Sequence, residues 1–66
     1  MKKYNFVCKG QLIDSFKSSK TPIPIGNTFS LQQNVKGKIK DVIFLVENMM
    51  QVDKETVIVN CLKLKQ

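Results

Sequence analysis

Between Tyr4 and Phe16 the even positions read Tyr4, Phe6, Cys8, Gly10, Leu12, Asp14 and Phe16. Alternation with a period of two is the mark of a strand with one buried face. Gly10 interrupts it, and two readings fit. Either Lys9-Gly10 is the tip of a hairpin between two short strands, or one long strand bends at Gly10 through a bulge. A polar stretch, Ser18 to Thr21, then reads as a loop. In the following Pro22-Ile23-Pro24-Ile25-Gly26, both missing amides lie on the same side of an extended chain. That side cannot pair, which predicts a segment at a sheet edge or crossing the end of a barrel.

Gly26-Asn27 turns the chain into Thr28 to Gln33, where Phe29 and Leu31 alternate with polar residues as in a half-buried strand. Asn34 to Gly37 is the next turn. Beyond it the pattern has two solutions. Ile39, Val42, Ile43, Val46, Met49 and Met50 fall at helical spacing, so a short helix around 39–50 is one. That helix would leave Phe44 and Leu45 off its apolar stripe, and the β-branched density of Lys40 to Val46 favours the other, a long strand. After a polar turn at Val52 to Thr56, Val57 to Lys65 forms a last strand and completes a long antiparallel hairpin.

The pattern predicts an all-β chain, one domain over 1–66, built as a small antiparallel barrel or rolled sheet of about five strands. Its general character is SH3-like or OB-like. Composition agrees: there is no Ala, and Val and Ile supply nearly half of the apolar residues. At 66 residues the chain buries only about 60% of its unfolded surface, and chains this short often add a disulfide, a metal or a second subunit.

Each addition meets a limit in the sequence. Cys8 and Cys61 fall in the first and last strands, and without any His they could make a four-ligand zinc site only with a second subunit or several carboxylates. Two buried, reduced thiols are expected. The longest apolar run, Val42 to Val46, is far short of the roughly 20 residues a membrane helix needs. Lys2 and Lys3 begin like a signal peptide, but Lys9 and Gly10 cut off the apolar stretch, so a cytoplasmic chain with no membrane partner is expected.

Candidate chemistry is sparse. The absence of His removes the usual general base and the Ser-His or Cys-His pair. The five acids show no catalytic spacing, the glycines are isolated, and Ser19-Lys20 belongs to a polar loop. The expectation is a non-enzymatic protein without cofactor or metal.

Three features bear on binding. The net charge of +6 comes wholly from Lys. Lys36, Lys38 and Lys40 alternate so as to face one way on a strand, with Lys2 and Lys3 near one terminus and Lys63 and Lys65 near the other. A basic row of this kind suits phosphates, although solvated lysines also keep sheet edges from pairing. Most of the aromatics fall on apolar faces. Tyr4, beside Lys2 and Lys3, is the candidate for stacking on a base. Finally, Val42, Phe44 and Val46 point one way while Ile43 and Leu45 point the other, and no helix stands ready to cover the second face. Pro22 to Ile25, a folded-over strand or a second copy could cover it. The leading expectation is a protein-interaction module, an accessory subunit or small inhibitor, using Ile43 and Leu45, with a homodimer as one form. The alternative is a nucleic-acid-binding barrel using Lys36, Lys38, Lys40, Tyr4, Lys2 and Lys3.

Overall fold

The computed structural model describes residues 1–65, and Lys65 by its backbone only. Five strands follow one another: β1 Lys2–Cys8, β2 Gln11–Ser18, β3 Thr28–Val35, β4 Lys38–Gln51 and β5 Thr56–Lys65. They form one sheet in the order β2-β1-β5-β4-β3. β4 is strand throughout 39–50, so the helical spacing there is not used. The reason is packing: Val42, Phe44 and Val46, at strand period, are 0%, 1% and 0% exposed. A helix would have turned Phe44 away from that face.

Two turns decide the hairpins. Lys9 and Gly10 both take positive φ, 52° and 77°, as do Lys36 and Gly37, 53° and 79°. Positive φ at both central residues is the type I′ turn, whose twist matches that of paired strands, and glycine carries the second position without strain. Of the two readings of Gly10, the hairpin tip is therefore the one adopted. The β4–β5 connection is closed by Val52 N–H donating to the Thr56 carbonyl and Glu55 N–H donating to Asp53 Oδ1, 2.8 Å. That bond, with the Thr56 hydroxyl, holds the Asp53 carboxyl below its ordinary value.

The rolled sheet is mixed in direction. β1 pairs β2 antiparallel, β4 pairs both β3 and β5 antiparallel, but β1 pairs β5 parallel from Lys3↔Thr56 to Cys8↔Cys61. This pairing departs from the all-antiparallel expectation. Parallel neighbours cannot be joined by a tight turn, and here the whole of β2 to β4 serves as the connection.

The sheet is strongly curled. β1 and β3 are three places apart, about 14 Å in a flat sheet, yet the Phe6 and Phe29 rings meet edge-on at 5.3 Å. Phe16 stacks on Phe6 and Phe29 on Phe44, so the four rings bridge the inside of a half-barrel. The core on this concave side comprises Tyr4, Phe6, Cys8, Val42, Phe44, Val46, Val57, Val59 and Cys61.

The proline segment lies where its missing amides allow. After β2 the chain crosses to β4, where Gly26 N–H donates to the Val46 carbonyl and Val46 N–H to the Asn27 carbonyl. Ile23 packs against the core on the way. This segment therefore crosses one end of the concave side, and it does not cover the outward face of β4.

The two faces of β4 differ in what they carry energetically. Phe44→Ala is expected to lose about 3–5 kcal/mol through the cavity it leaves. Leu45→Ala, on the outer face, is expected to lose only about 1 kcal/mol. Urea denaturation of both variants measures the difference, and equal losses would mean that the outer face is covered.

Candidate functional site

Among the described residues no element covers the outer, convex face. Period-two alternation sends Ile43 and Leu45 outward as their neighbours go into the core, and both are half-buried. The register sets Leu45 directly opposite Leu62, which is 42% exposed. On the same face Ile58 lies opposite Met50, and Val7 lies between Leu12 and Asn60. Thus Ile43 and Leu45 are joined by residues from three other strands, which strand-by-strand reading could not assemble. The middle of the patch is polar but satisfied: Asn60 Nδ2 donates to Asn48 Oδ1 and Ser15 Oγ donates to Asn5 Oδ1, each at 2.7 Å. A bulge between Val46 and Asn48 re-sets the alternation at that point.

At its rim Lys3 stands directly opposite Lys17. Like charges facing each other across strands are mutually destabilising, so this edge of the patch favours an anionic neighbour.

The lysine candidates divide into two groups. Lys36, Lys38 and Lys40 are exposed and cluster at the β3–β4 hairpin. Among the described residues β5 pairs with β4 as far as Ile43, and Lys38 to Val42 pair with β3, so this end of the hairpin forms an arm. Lys2 and Lys3 lie beside Thr56 and Gln51, at the other end of β4, in a molecule 38 Å long. Lys2 Nζ donates to Gln51 Oε1 at 3.1 Å.

Tyr4 does not serve as the exposed platform read from the sequence. It is 5% exposed, within the core, because it falls in phase with Phe6 and Cys8. A buried ring has no free face to offer a base.

A third feature lies where the half-barrel is open between β2 and β3. A hollow of about 170 Å³ is lined by Cys8, Lys9, Gln11, Ile13, Gln33, Phe44 and Lys63. Both cysteines are free and buried, as expected from the sequence. Burial pushes the Cys61 thiol up to about 11, and Cys8 beside it adds to the shift. Among the described residues no group of three or more His, Cys, Asp or Glu side chains could hold a metal ion. No helix among them is long and apolar enough to cross a membrane.

No family model, curated protein or solved structure matches the chain.

The Cys61 shift fixes a pH dependence. In the unfolded chain the thiol ionises near its ordinary 9.0, whereas in the fold it holds its proton to about 11. The associated stability is fully present below the unfolded value and is lost as pH rises through the folded one. Urea midpoints measured across this range should fall more steeply for the wild type than for Cys61→Val. Parallel profiles would show that the thiol is not isolated from water.

Proposed function

We propose that the chain is a non-enzymatic protein-interaction module, an accessory subunit or small inhibitor, whose convex face docks on a partner protein. The observation that carries this reading is the uncovered apolar patch around Leu45 and Leu62. A compact monomer of 7.5 kDa exposes about 4,250 Å², whereas this chain exposes 4779 Å². The excess is what an uncovered face and a protruding hairpin produce.

Charge and shape point to the partner's chemistry. With a net charge of +6 and opposed lysines at the rim, the complement is an apolar ridge flanked by carboxylates. A second copy fits less well, since two convex faces touch over little area and bring like charges together.

The test uses two amphipathic peptides, one of Leu and Glu and one of Leu and Lys. The acidic peptide is expected to shift the Ile43, Leu45 and Leu62 methyl resonances, with binding weakened more than tenfold by Leu45→Lys. Equal binding of the basic peptide, or no shift at those methyls, would overturn the reading. Sedimentation over a wide concentration range is expected to give a monomer. A wild-type dimer abolished by Leu45→Lys would make a second copy the occupant.

A second reading is favoured by the hairpin arm. A two-stranded ribbon fits the major groove of duplex DNA, and Lys36, Lys38 and Lys40 crowd the end of this one. Lacking Arg, the arm would hold phosphates without reading bases in bidentate fashion. Replacing the three lysines by Gln is expected to remove most nucleic-acid binding. The slope of log affinity against log salt should fall by about 2 to 3. Binding insensitive to salt would exclude this mode.

A further inference from the structure

The core places two thiols side by side with a route to solvent at one of them. Cys8 and Cys61 are in-register partners on neighbouring strands and both side chains turn to the concave face. Directly paired residues on adjacent strands lie about 4.8 Å apart, within the span of about 4.4–6.8 Å that a disulfide bridges. The pair sits at the end of the β1–β5 pairing, immediately before the Lys9-Gly10 turn. Cys8 lines the hollow at the open seam, and Lys9 and Lys63 line it too. Cys61 lies deeper, its thiol donating to the Val59 carbonyl at 3.6 Å.

We propose that Cys8 and Cys61 are an oxidisable pair, and that a hydroperoxide entering through the open seam converts them to a disulfide that locks β1 to β5. Cys8, as thiolate, attacks one peroxide oxygen. An S–O bond forms, the O–O bond breaks, and the departing alkoxide takes up the proton lost by the thiol. Cys8 is now a sulfenic acid and the hydroperoxide has been reduced to an alcohol. The Cys61 sulfur then attacks the Cys8 sulfur. The S–S bond forms as the S–O bond breaks, and hydroxide leaves as water with the Cys61 proton. The sum is two thiols and one hydroperoxide giving one disulfide, one alcohol and one water. Lys9 and Lys63, which line the hollow with Cys8, place positive charge where the departing alkoxide forms in the first step.

The position gives the bond its consequence. Among the described residues β1–β5 is the only strand pairing between the β1–β2 hairpin and the β3–β4–β5 unit. A covalent link there closes a loop over most of the chain, and the constraint on the unfolded state grows with loop length.

The experiment uses the full wild-type chain in its native state, treated with hydrogen peroxide. Intact mass should fall by two hydrogens, and a non-reducing peptide map should join Cys8 to Cys61. The thermal midpoint should rise by more than about 5 °C and return on adding dithiothreitol. In Cys61→Ser, dimedone should trap a sulfenic acid at Cys8 and the midpoint should not rise. The wild-type mass and peptide map decide the matter even if that variant folds poorly. Thiols that stay free in the native protein while the urea-unfolded chain oxidises would overturn the proposal. So would a link formed only between molecules, or a midpoint rise that persists in Cys8→Ser/Cys61→Ser.

Discussion

The parallel pairing of β1 with β5 is the constraint on which the rest of this molecule depends. On one side of it stands a two-stranded hairpin, which is marginal by itself, and on the other a three-stranded antiparallel unit. Joined at this seam, the sheet can curl until Phe6 reaches Phe29, and a single core appears between strands that are distant in the sheet. The pairing also joins residues near the two termini, so its entropic cost is that of ordering nearly the whole chain.

Curling divides the side chains into two populations with different work. The concave side gathers the large rings and the fully buried valines, with Ile23 from the proline segment laid against them. The convex side retains Ile43, Leu45, Leu62, Ile58 and Val7, together with paired amides that satisfy one another. In a chain this small the second apolar face is not needed to build the core. The interaction reading follows from that surplus, and the oxidisable pair from the seam. The two are independent, because the thiols lie on the inner face and the apolar patch proposed for docking on the outer.

Much of the architecture was legible along the chain. Alternation set Phe6 with Cys8, Phe29 with Leu31, and Phe44 with Val42 and Val46, apolar surroundings marked both cysteines for burial, and the Lys-Gly and Pro-Ile-Pro signals marked the turns and the crossing. Period two also separated Ile43 and Leu45 from the core set. The same rule argued for Tyr4 as an inward residue, but its neighbours Lys2 and Lys3 suggested exposure. The core won, because β1 continues in register beside β5 as far back as Lys3.

Sequence by itself therefore determined the strand class, the glycine-bearing turns and the faces of β1, β3 and the middle of β4. On β2 the alternation carried across Gly10 set Leu12 in phase with Phe6, whereas the structure leaves Leu12 63% exposed and packs Ile13 on the core. Tertiary structure alone decided which strands are neighbours: the parallel seam, the opposition of Leu45 to Leu62, the adjacency of Cys8 to Cys61, and the separation of Lys2 and Lys3 from the hairpin lysines. The physical reason is the range of each signal. Alternation and turn propensity are set by residues a few positions apart, whereas pairing order is set by how the whole set of apolar faces can close on one core.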